Sequence, residues 1–253
     1  MVRVRHGHSA VLRLALLTLG AGVLTAAAQD QGGWKVVGQI GGATQAVAVQ
    51  GSYAYVGVGM RLVVLDVSNP SDLREVGVTP PFPHLVEDIA ISGTLAYVAA
   101  GGAGLRVVDV SNPALPTEVG AWDSHGYAQG VTVAGTIAYL ADGPYGLRLV
   151  DISKPSQPVE VGSAYPMNYA FDVAVQGHYA YIAAAGAGLL IADVTEAAHP
   201  REALQLGTPG YAVGVALVKD MAYVADAWKG IQIVSVAAPL RAERIPGTHQ
   251  PSV

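Results

Sequence analysis

The sequence predicts an all-β protein, a β-propeller of five four-stranded antiparallel blades. An Ala-Tyr pair recurs five times at a constant interval along the chain. The tyrosines of these pairs are Tyr55, Tyr97, Tyr139, Tyr181 and Tyr223. Each copy contains four short runs rich in Val, Ile and Tyr, separated by clusters of Gly, Pro, Asn, Asp and Ser, which is the pattern of strands joined by tight turns. Since one such sheet cannot bury both of its faces alone, we expect the copies to pack side by side around a common axis.

The N-terminal segment 1–28 differs from the rest of the chain and indicates a secretory signal peptide. Three Arg come before an apolar run over residues 14–28, and the first acidic residue is Asp30. The run is short for a membrane span and ends in three alanines, which predicts cleavage after Ala28. An uncleaved N-terminal anchor is the alternative. Residues 29–253 would then form the propeller domain, without a transmembrane span, and the predicted location is secreted, periplasmic or at the cell surface.

Composition excludes several classes of protein. Apolar residues make up 51% of the chain and charged residues 13%, which excludes a disordered chain. The net charge is −5, and cleavage after Ala28 would remove three of the 14 basic residues and none of the 19 acidic ones, which gives −8. Because no basic stripe is present, the sequence indicates no nucleic-acid partner. Cysteine is absent, which excludes disulfides, thiolate catalysis and Cys-based metal sites.

The four predicted strands of each copy are called a, b, c and d, from the axis outward. In the third copy they are the runs GVTVAG, IAYLAD, LRLVDI and PVEVGS. Strands a, b and c are apolar on both faces, as expected for sheets sandwiched between neighbours. Strand d carries charged residues, and in the middle copies it begins with Pro116, Pro158 and Pro200. Charge and proline keep an outer edge strand from pairing with other chains, so we expect strand d at the rim.

The consensus of the copies resembles a known repeat. Each copy reads close to G-x-x-A-Y-[VIL]-A followed by G-L-R-[VL]-V-D-[VI]-S-x-P. This pattern is similar to the LVIVP repeat of bacterial and archaeal secreted and surface proteins, over residues 34 to about 247. The resemblance implies a propeller-like fold and is nearly silent about activity. The fifth copy departs from the pattern, because Ser235 stands where the others have Asp.

Residues that recur in most copies are expected to serve the fold rather than a binding site. The Asp at the end of strand c comes before a turn, Ser-x-Pro in most copies, where its carboxylate can accept hydrogen bonds from the turn's own backbone. The Gly before strand c is expected to take a positive φ in the b–c hairpin. These positions are Asp66, Asp109, Asp151 and Asp193, with Gly104, Gly146, Gly188 and Gly230.

The number of strands allows two arrangements of the ring. Residues 33–40, GWKVVGQI, resemble strand d, so the chain holds 21 predicted strands, one more than five complete blades need. Either this first strand closes a five-bladed ring and the C-terminal run RAERIPGTHQPSV is a loose tail, or the chain is a shortened relative of a longer ring. The second case would leave an incompletely closed or dimerising array. An oligomer is therefore expected only if the ring does not close alone.

Candidate binding residues lie where the copies differ. In an up-and-down blade the d-to-a connectors and the b–c hairpins emerge on one face, and here they vary in length and chemistry, as binding loops on a rigid scaffold do. Their aromatic rings and carboxylates suit a protein or carbohydrate ligand. Tyr127, Tyr169 and Tyr211 are each one repeat apart and should surround the channel mouth, as a ligand platform or as a plug. The candidate ligand-binding residues are Glu87, Asp88, Trp122, Asp123, His125, Tyr127, Asp142, Tyr145, Tyr169, Asp172, Tyr211, Asp226 and Trp228.

Two sharper hypotheses use the acidic residues of this face. Glu87, Asp88 and Asp172 would supply the carboxylate pair of a glycosidase-like hydrolase in the channel. The same acids with a backbone carbonyl would hold Ca²⁺, although no loop has the alternating Asp-x-Asp spacing of a calcium loop. No other cofactor is indicated, and no Ser-His-Asp order or HExxH motif occurs. A surface-layer or adhesion protein without a discrete site is a further alternative.

Overall fold

The computed structural model describes residues 2–4, 12–14, 44–164 and 168–245. Two strands lie near the N-terminus, β1 (Val2–Val4) and β2 (Leu12–Leu14), and they pair antiparallel. The remainder of the segment 1–28 lies outside the described residues, as does the run at 33–40. The signal peptide and the N-terminal d strand therefore stay predictions.

The rest of the described chain forms five four-stranded antiparallel sheets, in which the chain order of the strands is also their spatial order. Blade 1 contains β3 (Thr44–Gln50), β4 (Tyr53–Val58), β5 (Arg61–Asp66) and β6 (Arg74–Val78). Blade 2 contains β7 (Asp88–Ser92), β8 (Leu95–Ala99), β9 (Leu105–Asp109) and β10 (Thr117–Trp122). Blade 3 contains β11 (Gly130–Ala134), β12 (Ile137–Ala141), β13 (Leu147–Asp151) and β14 (Val159–Ala164). Blade 4 contains β15 (Asp172–Gln176), β16 (Tyr179–Ala183), β17 (Leu189–Asp193) and β18 (Arg201–Leu206). Blade 5 contains β19 (Gly214–Val218), β20 (Met221–Ala225), β21 (Ile231–Ser235) and β22 (Glu243–Arg244), with the 3-10 helices η1 (Ala227–Lys229) and η2 (Pro239–Arg241) in its loops.

The hydrophobic core lies between the blades. Tyr97 of β8 and Leu105 of β9 pack on Val131 and Leu140 of blade 3. Equivalent clusters join blade 1 to blade 2, blade 3 to blade 4, and blade 4 to blade 5. Each of the first four blades thus buries its recurrent Tyr against the next blade.

The turns after strand c have the expected chemistry. The Asp carboxylate accepts a hydrogen bond from the backbone N–H two residues on, at 2.8 Å in Asp109 and Asp151 and at 2.9 Å in Asp66 and Asp193. Hydrogen bonds from the hydroxyl and the backbone N–H of the Ser or Thr two residues on lower the pKa of all four carboxyl groups, and the hydroxyl is the larger cause at Asp66 and Asp193. The Gly before strand c has φ between 71° and 82° in blades 2 to 5. Both predictions are confirmed.

Among the residues that the structure describes, the ring of blades is not closed. The inner strands β3, β7, β11, β15 and β19 are neighbours in that order, and β1 lies beside β3. Among the described residues, no packing of comparable extent joins β19 back to β3. Blade 5 takes its outer strand from its own repeat, because Glu243 and Arg244 pair with Ser235 and Val234. In the described part of the chain the five blades therefore form an open arc.

Candidate functional site

The face that carries the variable loops is fixed by backbone pairing between blades. In each of three places a d-to-a connector forms an antiparallel bridge to the b–c hairpin of the preceding blade. The bridges are Gly101 with Ala128, Gly143 with Ala170, and Ala185 with Ala212. Each is held by two backbone hydrogen bonds of 2.9 to 3.2 Å. The side chains next to these bridges therefore sit on a rigid support rather than on free loops.

Four aromatic side chains form a continuous row on this face, which we call the aromatic row: Tyr169, Phe171, Tyr211 and Trp228. Ring centroids are 4.7 Å apart for Tyr169 and Phe171, 5.9 Å for Phe171 and Tyr211, and 6.5 Å for Tyr211 and Trp228. The last two rings are stacked with an interplanar angle of 22°. Trp228 is 71% exposed and Tyr211 is 37% exposed. The row thus ends in a flat aromatic platform open to solvent.

Tyr127, by contrast, is engaged with the scaffold. Its hydroxyl donates a hydrogen bond of 2.7 Å to Glu87 Oε1, and its ring lies edge-on to His84 at 5.1 Å. Burial, and then the bond to Glu87, raise the pKa of Tyr127 well above its ordinary value. Of the three tyrosines spaced one repeat apart, Tyr169 and Tyr211 belong to the row, and Phe171 joins them.

Asp88 and Asp172 connect neighbouring blades. Both side chains are fully buried at the start of strand a. Asp88 Oδ2 accepts a hydrogen bond of 2.9 Å from the Val131 N–H, and Asp172 Oδ2 accepts one of 2.8 Å from the Val215 N–H. The repeat position that faces Asp172 is Gly130, where an added Cβ would lie 3.0 Å from the Asp172 Cα. Asp and Gly alternate at this repeat position from blade 2 to blade 5. The close contact with Asp172 explains why Gly130 has no side chain.

Asp226 holds a connector to its hairpin, and Asp142 occupies the equivalent repeat position. Asp226 Oδ1 accepts a bond of 2.6 Å from the Thr208 hydroxyl, and its Oδ2 accepts one of 2.9 Å from the Gly210 N–H. Asp142 lies two repeats earlier and faces the equivalent residues, Ser124 and Gly126. Burial raises the pKa of the Asp142 carboxyl, and this shift is opposed by Ser124, Arg148 and the Gly126 N–H.

The comparisons with known proteins identify the repeat. A model of the LVIVD repeat matches the chain at residues 41–79, 85–124, 125–165, 168–208 and 209–239. The chain belongs to the LVIVD-repeat family. The five letters correspond to strand c, which reads LVVLD, LRVVD, LRLVD, LLIAD and IQIVS in the five copies. The resemblance expected from the sequence is thereby confirmed.

One similar solved structure is that of the computationally designed Ika8 protein, at 11% identity and a TM-score of 0.67. The match covers 82% of this LVIVD-repeat chain and 63% of the designed chain, so the arc superposes on part of a longer chain. At this identity the likeness concerns the fold alone. No curated protein matches the chain.

The other predicted residues of the LVIVD-repeat chain are divided between the core and a second surface group. Trp122 packs against the core between blades 2 and 3. Asp123 is bonded to Arg106 Nη2 at 2.5 Å. His125 lies 6.4 Å from Tyr145, and the Arg148 guanidinium lies 5.5 Å from the Tyr145 ring centroid. These residues do not join the aromatic row.

Sequence reasoning found three of the four residues in the row and missed Phe171. Its connector reads NYAFD, so a second aromatic residue two positions after Tyr169 was the available signal. Within the described ranges, no group of three or more His, Asp or Glu residues is placed to hold a metal ion. In the same part of the chain, no helix is long and apolar enough to cross a membrane.

Proposed function

We propose that this LVIVD-repeat protein is a binding scaffold whose aromatic row takes a carbohydrate ligand, in a secreted, periplasmic or cell-surface location. The observation that carries the proposal is the exposed, stacked pair of Tyr211 and Trp228. Tyr211 lies on a connector that Ala212 pins to blade 4, and Trp228 lies in the hairpin of blade 5, where Asp226 is bonded to the same connector. Flat aromatic faces bind sugar rings, and a rigid support loses little conformational entropy when a ligand binds. The location rests on the signal-peptide pattern of residues 1–28.

The polar groups beside the row suit a neutral, hydroxyl-rich ligand. The Gln129 amide reaches the Tyr169 hydroxyl at 3.4 Å, which places an amide and a phenol side by side. Both groups can donate and accept hydrogen bonds, as sugar hydroxyls require. A protein ligand is the second candidate, because exposed Trp and Tyr side chains are the usual anchors of protein interfaces.

The acidic residues give less support to a hydrolase. Asp88 and Asp172 are fully buried, each accepts a backbone N–H, and strand β11 lies between them. A glycosidase needs two carboxyl groups that face one another across a substrate. A turnover assay on every glycan that the protein binds would reveal hydrolysis if these carboxylates did catalyse it.

The test is a glycan and peptide array probed with the full chain and with Trp228→Ala and Tyr211→Ala. Each variant is expected to weaken binding about 30-fold or more, the usual loss for an aromatic anchor. Tyr145→Ala is the matched control, because Tyr145 is 41% exposed on the same face but lies outside the row. Glycan signals that both row variants leave unchanged would rule out this site, and peptide signals alone would favour the protein ligand.

The alternative of a surface-layer or adhesion protein is tested on cells. Recovery of the protein in the wall fraction, together with arrays that show no ligand, would favour it. Recovery in the medium or the periplasm would favour the binding scaffold.

A further inference from the structure

In two of the connectors on the loop face, the tyrosine ring lies on a glycine of the preceding blade's b–c hairpin. A Cβ added to Gly101 would lie 2.9 Å from the Tyr127 Cζ, and one added to Gly143 would lie 2.9 Å from the Tyr169 Cζ. Both glycines have a positive φ, of 48° and 57°. Both tyrosines are half-buried. The space above the hairpin glycine therefore holds the tyrosine ring, and we call it the tyrosine seat.

The next repeat has Ala185 in place of the hairpin glycine. Its backbone is equivalent, because Ala185 forms the same antiparallel bridge to the following connector and has a φ of 51°. The Ala185 Cβ therefore fills the tyrosine seat, since non-bonded carbon atoms pack at about 3.5–4.0 Å and not closer. The Tyr211 ring lies elsewhere, between Phe171 and Trp228, and is 37% exposed.

The chain keeps this alanine in an unfavourable backbone conformation. A residue with a Cβ is strained at positive φ, whereas Gly adopts such a φ without that cost. In the part of the chain that the structure describes, the residues other than Gly with a positive φ are Ala185, Lys219 and Ala227. Ala185 is bridged to the residue that follows Tyr211, and Ala227 directly precedes Trp228. Backbone strain that is concentrated beside one surface feature indicates a function for that feature.

We propose that Ala185 is a positioning residue of the aromatic row, whose methyl group keeps Tyr211 out of the tyrosine seat and holds its ring beside Trp228. A ligand then meets two adjacent exposed rings at this end of the row. Tyr127 shows the alternative, because it occupies a seat above glycine and its hydroxyl is bonded to Glu87. The effect on ligand binding rests on the proposed function, whereas the placement of Tyr211 does not.

The first test measures the exposure of Tyr211 without any ligand. Hydroxyl-radical oxidation of the full chain, followed by mass spectrometry, gives a rate for each tyrosine. In Ala185→Gly the seat is empty, so Tyr211 should occupy it and its oxidation rate should fall to that of Tyr169. A crystal structure of the variant should show the Tyr211 ring above residue 185. An oxidation rate of Tyr211 that stays at the parental value would overturn the proposal.

The second test measures binding with the same glycan array. In Ala185→Gly the dissociation constant of each bound glycan should rise roughly 5- to 30-fold, because one of the two exposed anchor rings is withdrawn. The melting temperature should not fall, because relief of the backbone strain offsets the loss of one buried methyl group. Ala185→Ser keeps a Cβ in the seat and should bind like the parent.

Lys219→Gly is the matched control for the relief of strain. Lys219 has the same φ of 51° and lies in the a–b turn, away from the loop face. This variant should change neither the oxidation of Tyr211 nor the affinity for glycans. An equal loss of affinity in Lys219→Gly or in Ala185→Ser would overturn the positioning role. A parent chain that binds no glycan would contradict the proposed function alone, and the oxidation rates would then decide the role of Ala185.

Discussion

At the scale of single residues, the acidic side chains of the loop face act mainly on neighbouring backbone. Asp172 accepts bonds from the N–H groups of Val173 and Val215, at 2.7 Å and 2.8 Å. A buried carboxylate with two such bonds stabilises the join between blades 4 and 5, whereas its loss leaves two buried donors without an acceptor. The sequence shows only an Asp at the end of a loop, which suggested a ligand-binding residue. It does not reveal that the Asp172 carboxylate bonds to the backbone of another repeat.

Asp172→Ala is therefore expected to lower the free energy of unfolding by about 2–4 kcal/mol, because unsatisfied buried donors cost about 1–3 kcal/mol each. Urea denaturation followed by circular dichroism would measure the change. Asp123→Ala is the control on an exposed acid and should change stability by less than about 1 kcal/mol. Equal stability of the Asp172 variant and the parent would contradict a structural role.

The buried Asp142 predicts a pH dependence of stability. Its folded-state pKa is raised above the ordinary value of 3.8, so the unfolded chain ionises first as pH rises. As pH rises above about 4, the free energy of unfolding therefore falls by about 1.4 kcal/mol for each pH unit between the unfolded and the folded pKa. The fall ends when the carboxyl of the folded protein also ionises. Asp142→Asn removes this titration, so the variant should gain stability relative to the parent as pH rises above about 4. Denaturation curves at several pH values would show it, and a relative loss over that range would contradict the assignment.

At the scale of the strand, the recurrent Val-Gly of strand d has a cause in the neighbouring blade. An added Cβ would lie 2.2 Å from the Pro113 carbonyl oxygen at Gly77, and 2.0 Å from those of Pro155 and Ala197 at Gly120 and Gly162. Each Gly therefore lets the turn of the next blade approach the outer strand. The sequence shows that these glycines recur. It does not show why, because the carbonyl groups that require a Gly belong to the following repeat.

Gly120→Ala is expected to destabilise the protein by about 1–3 kcal/mol, because the added methyl group must push two blades apart. Gly207→Ala is the matched control, since nothing lies within 4 Å of its Cβ position and its φ is ordinary. Thermal unfolding of both variants would separate the effect of the contact from the effect of adding Ala. A similar change in both would mean that the contact between blades carries no cost.

At the scale of the whole molecule, the sequence predicted the five-bladed architecture and left open whether the ring closes. The constant repeat interval and the alternation of apolar runs and turns specify five sheets, because each repeat carries its own pairing information. Phe171 in the aromatic row could not be assigned in this way. Its role depends on which repeat stands beside it, which is a property of the assembled ring.

An open arc also predicts a gradient of stability along the chain. Blades 2 to 4 have a neighbour on both faces, whereas blade 5 has one described neighbour and an outer strand of two residues. In arrays of repeats each unit is stabilised by its own pairing and by its nearest neighbours, so the end units open first. Hydrogen–deuterium exchange should therefore be faster in β20 and β21 than in β12 and β13, which occupy the same repeat positions. Equal protection of blades 3 and 5 in the dilute chain would mean that the arc is closed in solution.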